Sequence, residues 1–378
     1  MVDYLIFLTI STAVLALFSL GLNLQWGFTG LINFGHIAFM TLGAYTTVLL
    51  SLKGVPLFVS IVIGAIVAAF LGLVIGFATL RLREDYLAIV TIGTGELIRL
   101  VLNNQELPVG DTWVSGAFGI QSYPIPLSTM PNSFFQFLMI GLLTLLAAVT
   151  LFGLWRWIRY AQKSQVADSS QKTASKQELA TRLGVGIILA LLTIAIYISG
   201  VISLYNYNPK AGLMVLALLV LAFVFWRLEV LVRSPWGRVL KAIREDEEVP
   251  RAMGKNVFWY KVQSLILGGA IAGIAGAFYA WQLSAIYPDK TFEPQVTFDA
   301  WIMVILGGSG NNIGTILGAV IFIAYDAITR EVLPRFVPLD EARLGAFRIM
   351  VIGLILMVLM IWRPQGILGK KEELTLGK

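Results

Sequence analysis

The sequence predicts an all-α, polytopic integral membrane protein, with about nine transmembrane helices plus a re-entrant or broken helix pair. Three observations predict it. Only 13% of the 378 residues are charged and 57% are hydrophobic, with a mean hydropathy of +0.81. A soluble domain needs about 25% charged residues to wet its surface. Apolar runs long enough to cross about 30 Å of hydrocarbon, roughly 20 residues each, recur along the whole chain. Lys and Arg then collect in alternate connections, as the positive-inside bias requires. The 36 glycines suit closely packed membrane helices. With no Cys there is no disulfide framework, thiolate metal site or Cys nucleophile, and with His36 alone there is no multi-histidine metal site. The net charge of +6 sets topology and does not call for a nucleic-acid partner.

The N-terminus, MVDYLIFLTI, lacks a basic region and a small-residue cleavage site before its apolar run, so it reads as an uncleaved first span. Spans are expected at 4–24, 34–52, 57–80, 134–155, 183–204, 211–226, 262–286 and 346–362. A ninth, 87–102, is shorter and carries Glu96 and Arg99. Residues 25–33 are free of charge and either connect spans or dip into the membrane. Residues 299–329 are apolar but broken at Gly307-Gly308-Ser309-Gly310-Asn311-Asn312, too interrupted for one straight helix. Irregular backbone at that depth must be buried in protein or face water. Segments 81–86, 156–182, 227–261 and 363–378 hold 20 of the 28 Lys and Arg, which predicts that they are cytoplasmic. The N-terminus is then outside and the C-terminus inside, with 299–329 entering and leaving from the outer side. Trp155, Trp157, Trp226, Trp236, Trp281 and Trp362 lie near span ends, as interfacial anchors would.

This divides the chain into an N-terminal transmembrane half, 1–159, a linker, 160–182, a C-terminal half, 183–369, and a cytoplasmic tail, 370–378. The linker is rich in Ser, Gln and Lys and is expected to be flexible and cytoplasmic. The first half contains an ordered outer loop, 103–132, with no Lys or Arg. Each half has a glycine-broken apolar region, 21–35 and 307–314, a loose likeness in layout.

No GxxxxGK[ST], HExxH or GxSxG occurs, so neither nucleotide hydrolysis nor intramembrane hydrolysis has residues to carry it. No catalytic residue and no metal site is expected. Polar side chains within spans are costly and functional by default. Asn23, Asn33 and His36 flank the first break; Thr91, Thr94, Glu96 and Arg99 share one short span; Ser309 and Asn311 lie in the second break. These are the candidate translocation-pathway residues. His36 is equally readable as a packed core residue. Glu96 and Arg99, three apart, either pair or line a polar path. Gly269 and Gly273, four apart, suit helix packing, and Asp326 suits pairing with Arg330 or Arg348.

The cytoplasmic loop 227–261 contains LVRSPWGRVLKAIREDEEVPRAMGKNVFWYK. Arg238, Lys241 and Arg244 recur every three residues, followed by Glu245, Asp246 and Glu248. Glu248 and Gly254 have the spacing of the EAA-x3-G signature, the mark of the coupling helix in ABC importer permeases. A permease without its own ATPase must present a short helix to a separate one, and a glycine at its end lets the chain turn back. The alternative is a solvated basic loop that only sets topology. Pro250 departs from the signature and suits a first helical turn, so the helix is expected to begin there.

The chain resembles the LivM-type membrane subunits of branched-chain amino acid ABC importers. The likeness rests on GLNLQWGFTGLINFGHIAFMTLGAY (21–45), LRLREDYLAIVTIGTGELIRLVLNN (80–104), the block at 234–261, the glycine-rich stretch 268–319 and RPQGILG (363–369). It covers nearly the whole chain in order. It departs at 160–182, which has no counterpart, and at ELPVGDTWVSGAFGI after Asn104. Urea-importer permeases share the blocks. The resemblance implies a permease subunit for branched-chain or other neutral amino acids in the bacterial inner membrane. Its expected partners are a second homologous permease, two ATP-binding cassette subunits that use ATP and Mg, and an extracytoplasmic binding protein docking on 103–132 and 287–298. No cofactor is expected on this chain. A urea or short-amide permease and, from a different class, an ion-driven secondary transporter using Glu96 remain alternatives.

Overall fold

A computed structural model describes residues 2–80, 84–128, 132–167, 172–206, 208–336 and 340–369. Apolar runs become helices throughout, since only a helix satisfies its own backbone in lipid. Helix α1 (Val2–Leu22) continues into a π-turn, Asn23–Phe28. It is followed by α2 (Ile37–Leu52), α3 (Leu57–Thr79) and α4 (Glu84–Asn104). Then come α5 (Ser133–Ala167), α6 (Lys172–Tyr205), α7 (Pro209–Arg233), α8 (Pro235–Glu245), α9 (Glu248–Ala252) and α10 (Val257–Leu283). The short α11 (Pro288–Thr291) precedes α12 (Gln295–Gly307), α13 (Asn312–Phe336) and α14 (Glu341–Trp362). Among the described residues eight helices are long and apolar enough to cross a membrane, and α2 is a shorter apolar helix of 16 residues. These match the nine expected spans. The broken region resolves into an antiparallel hairpin: α12 has 13 residues, roughly 20 Å and too short to cross alone, and α13 has 25.

The packing does not follow the expected halves. One compact unit comprises Met1–Ile10 with Pro126–Leu219, the other Ser11–Ile125 with Val220–Lys378. The reason is local: α5 and α6 pair with each other, Thr144 Oγ1 lying 3.3 Å from the Tyr197 hydroxyl, and Gln136 Nε2 donating to the Leu204 carbonyl in the last turn of α6 at 2.8 Å. The segment 160–182, expected to be a flexible linker, is helical to Ala167 and again from Lys172. Residues 168–171, which include the middle of that segment, lie outside the described residues, as does the tail 370–378. Long polar helix extensions contradict the composition argument because Gln, Lys and Ala are good helix formers even without a core to join.

In the larger unit α10 packs against α2 and α3 through glycines. A Cβ at Gly269 would approach the Phe39 ring to 2.9 Å, and one at Gly273 the Ala68 Cβ to 2.6 Å; one at Gly43 would collide with the Gly273 backbone. The expected small-residue packing is therefore present. Ala16, Met303 and Ala319 form a second core of α1, α12 and α13, against which Leu221 of α7 packs. Asp326 pairs with Arg330 at 2.8 Å and lies 3.7 Å from Arg348, both expected partners.

The loop 103–132 is less simple than expected. Strands β1 (Glu106–Val109) and β2 (Thr112–Ser115) form an antiparallel hairpin around Gly110-Asp111, with Gly110 at φ +60. Strand β3 (Ile120–Gln121) pairs with β4 (Ala285–Ile286) just after α10. Gly110-Asp111 supplies the tight turn that a two-residue hairpin needs. One of the six expected Trp anchors is misplaced. Trp281 is buried in the helix core, and Trp236 is half-buried with Nε1 donating to Gln263 Oε1 at 2.6 Å. Trp155, Trp226 and Trp362 are exposed.

Candidate coupling segment and translocation site

Between α7 and α10 the chain forms two short helices. Pro235 stands in the first turn of α8, where its missing N–H costs nothing. Leu240 and Ile243 are buried beneath α8, and Gly237 packs on the Val232 backbone. Asp246 accepts the Glu248 N–H at 2.9 Å and so starts α9. The helix thus begins at Glu248 and not at Pro250, whose ring is buried in the first turn. Helix α9 ends at Ala252, and Gly254 has φ +74, with no atom within 4 Å of the place a Cβ would take. Backbone conformation, not space, is what demands glycine there.

The expected coupling residues separate into two groups. Arg238, Glu245, Asp246 and Glu248 are exposed. Val249 (51% exposed) and Met253 (64%), four apart, add an apolar knob that sequence reasoning missed. Lys241 and Arg244 reach instead to residues 27–28, although Arg244 also remains exposed. Lys241 Nζ lies 5.7 Å over the Phe28 ring, and Arg244 Nη1 donates to the Gly27 carbonyl at 2.5 Å. The segment is also tied to α10 by an ion pair between Glu247 and the buried Lys261. No local pattern marks that pair, because its members are separated by α9 and a turn.

The first break, 23–36, is a buried polar cluster. Asn33 Nδ2 donates to Gln25 Oε1 at 2.8 Å, and its Oδ1 accepts Gly35 N–H at 3.0 Å. Gln25 Nε2 reaches the Leu265 carbonyl at 3.3 Å, Thr29 lies 2.8 Å from Ser264, and Trp301 Nε1 donates to the Asn33 carbonyl at 3.2 Å. Asn23 Nδ2 donates to Asn312 Oδ1 at 3.1 Å, and Asn312 Nδ2 to Glu229 at 3.2 Å. Gln25, Asn312, Glu229 and Trp301 were not singled out in the sequence, although Gln25 and Asn312 stand in the polar runs that were. His36 is fully buried, 3.2 Å from the Phe18 carbonyl through Nε2 and packed between Phe18 and Phe39. That is the packed-core arrangement. Thr91 accepts Phe34 N–H at 3.2 Å, and Thr94 bonds back to its own helix at Val90.

The second break, 308–311, is closed by the C-terminal segment. Ile367 and Leu368 donate to the Leu306 and Gly307 carbonyls at 3.0 Å, and Asn311 Nδ2 donates to Leu368 at 2.8 Å. Asn311 Oδ1 also accepts from Ile313 and Gly314 at 3.1 Å, making it the N-cap of α13. Ser309 lies 3.4 Å from Arg244 Nη2.

Glu96 and Arg99 pair through two bonds of 2.9 and 2.5 Å, and Arg99 also binds Asp289 of α11. Beside them a small pocket opens between Phe34, Gly35, Ile37, Ile92, Glu96 and Phe292. In the outer loop Tyr123 donates to the Ala280 carbonyl at 2.5 Å, and burial pushes its phenol well above the usual range, so it stays a donor. Among the described residues no three His, Asp and Glu side chains converge to hold a metal ion.

A family model described as "Branched-chain amino acid transport system / permease component" matches residues 4–360. The chain is 30% identical over 359 residues to the high-affinity branched-chain amino acid transport system permease protein LivM of Escherichia coli K12, covering 94% of this chain and 68% of that protein. The LivM of Salmonella typhimurium LT2 is 29% identical over the same lengths. A nucleoside ABC transporter permease protein, NupC of Lactococcus lactis, is 28% identical over 104 residues, 28% of this chain and 32% of that protein. No solved structure matches. A span set, a short-helix segment ending on left-handed Gly254 and a family match over almost the full length agree: the chain belongs to the branched-chain amino acid transport system permease component family.

Proposed function

We propose that this permease imports branched-chain or other neutral amino acids, as one of two homologous permease subunits in the bacterial inner membrane. The segment α8–α9 faces the cytoplasm, with the C-terminus inside and the N-terminus outside, in line with the Lys and Arg distribution. Two ATPase subunits bind and hydrolyse ATP with Mg and grip this segment; this chain holds no cofactor and is not itself an enzyme. A binding protein delivers substrate at 103–132 and 287–298. The observation that carries the reading is α9: two exposed apolar side chains, Val249 and Met253, ringed by charge and ended by Gly254 at φ +74. That is a shape for docking in a groove, with apolar anchors inside and charges at the rim.

An ion-driven carrier needs a carboxylate free to titrate. Glu96 is held by Arg99 in two bonds, which favours a structural pair. The test is uptake of labelled leucine by the complex reconstituted in proteoliposomes with ATPases and binding protein. Uptake is expected to need ATP inside and to be competed by unlabelled isoleucine and valine. Competition by urea or a nucleoside in their place would overturn the ligand. Uptake by the permease alone under an ion gradient would overturn the class.

A further inference from the structure

We propose that Arg244 is the link through which movement of the coupling segment reaches both helix breaks. The proposal rests on the permease reading and adds a residue-level route to it. Arg244 lies in the last turn of α8. Its Nη1 donates to the Gly27 carbonyl at 2.5 Å and its Nη2 lies 3.4 Å from Ser309 Oγ. Those acceptors belong to different interrupted helices: Gly27 to the π-turn that ends α1, Ser309 to the turn between α12 and α13. The two interruptions also touch directly, since Gly310 N–H donates to Asn23 Oδ1 at 2.9 Å. A guanidinium suits this place because it is planar and permanently charged, with several donors to share between two acceptors. As a cation at the C-terminal end of α1 it also faces the negative end of that helix dipole.

The surroundings are cut to fit it. A Cβ at Gly310 would lie 2.8 Å from Arg244 Nη1 and 2.9 Å from the Gly27 carbonyl oxygen. Gly30, at φ +82, lies against the Arg244 stem, 3.5 Å from its Cα to an added Cβ. Lys241, one turn back on α8, sits over the Phe28 ring. Thus one face of α8 grips the first break, while the exposed charges and the Val249–Met253 knob of α9 are left for a partner. Among the described residues Arg244 has no carboxylate partner, so its removal leaves no counter-charge stranded. A partner that displaces α8–α9 carries the guanidinium, and with it 27–30 and 308–310.

The test uses the whole complex in proteoliposomes with binding protein present. Arg244→Met keeps the stem and removes the donors. Gly310→Ala presses a methyl on the guanidinium from the opposite side and leaves the sequence of α8 and α9 unchanged, at the cost of some backbone strain because Gly310 has φ +75. Three readouts are taken: abundance in the membrane, ATPase subunits retained on the purified permease, and ATP hydrolysed per labelled leucine imported. Both variants are expected to keep abundance and retention, while ATP used per leucine rises by about tenfold or more, a coupling loss of ordinary allosteric size. Arg244→Lys is expected to fall between. The proposal is overturned if retention falls with uptake, making Arg244 a docking residue. It is equally overturned if abundance falls in both variants, making the contact a folding clamp, or if the ratio does not change. Failure of the permease reading would look different, since the unmodified complex would then import without ATP or hold no ATPase.

Discussion

The two ends of α10 solve the same problem differently. Its 27 residues span roughly 40 Å, and at each end a surface segment without a core of its own must be held in place. At the N-terminal end α8 and α9 are held by charge and indole: Glu247 on the buried Lys261, and Trp236 on Gln263. At the C-terminal end the holding bonds are mostly neutral: the β3–β4 pair and the Tyr123 hydroxyl on Ala280. There the ionic contribution comes from Arg99 on Asp289. Both ends expose apolar side chains, Val249 and Met253 at one and Trp113 and Phe118 at the other. The first pair sits on a helix ended by a left-handed glycine, the second on a hairpin and a single 3-10 turn. The difference teaches where stiffness is placed. On the proposed function, an ion pair on a buried lysine fixes the segment that would transmit force, and a few backbone bonds suffice for one that would only receive a ligand.

The largest expected effect tests the stiff end. Gly254→Val puts a β-branched residue at φ +74, at roughly 1–2 kcal/mol of backbone strain. Nothing lies within 4 Å to clash, so the strain is local to the turn. Membrane abundance is expected to stay normal while uptake drops to background and the ATPase subunits no longer co-purify. Gly254→Asn, which tolerates the left-handed region, is expected to retain most uptake. If valine and asparagine behave alike, the conformation of Gly254 is not what matters.

Next is the ion pair that holds this end. Lys261→Met leaves Glu247, 31% exposed, with its longer contact to Arg251 at 3.8 Å, at a cost of about 1 kcal/mol. The double change Lys261→Met with Glu247→Gln leaves no unpaired charge and is expected to recover much of that loss. Thermal unfolding of the purified complex, run as a double-mutant cycle, measures it. Additive losses would mean that the two residues act separately and that the N-terminal end is no stiffer than the other.

How much of this was legible follows from which contacts are local. Eight of the nine spans were readable because each is one apolar run, the ninth, 87–102, despite Glu96 and Arg99, and the packing of Gly269 and Gly273 because four-residue spacing puts them on one face. The turn at Gly254 was readable from its distance to Glu248. The Glu247–Lys261 pair, the Asn23–Asn312–Glu229 chain and the two acceptors of Arg244 were not, since each joins residues that only the tertiary fold brings together. The β1–β2 hairpin escaped notice because four-residue strands are too short for alternation to stand out, although Gly110-Asp111 was its signal. The helices flanking 168–171 were misread because low hydrophobicity argues against a core, not against a helix that extends from an anchored span.

At the other end of α10 the pair of Glu96 and Arg99 gives the third test. Arg99 binds two carboxylates, Glu96 and Asp289, so Arg99→Gln leaves both facing each other and is expected to be the worse single change. Glu96→Gln with Arg99→Gln leaves Asp289 alone, and that side chain is 51% exposed and readily hydrated. The double variant is therefore expected to recover most of the uptake lost in Arg99→Gln, as read by labelled-leucine import. A double variant as inactive as Arg99→Gln would mean that these residues line the path.

The smallest effect is expected where the holding bond is neutral. Tyr123→Phe keeps the ring in its packed site and removes one hydroxyl, so the loss is that of one hydrogen bond, about 0.5–1.5 kcal/mol. It should fall at the low end of that range. The Ala280 carbonyl also accepts the Ser284 N–H at 3.0 Å, so it is not left without a donor. The loop would loosen against the end of α10 without reaching α8, because β3–β4 still ties it there. Unfolding temperature is expected to fall by a few degrees at most. More binding protein should be needed for half-maximal stimulation, with retention of the ATPase subunits unchanged. Tyr123→Phe that released the ATPases would show that the two ends of α10 are held as one device, and the contrast between a stiff end and a receiving end would fail.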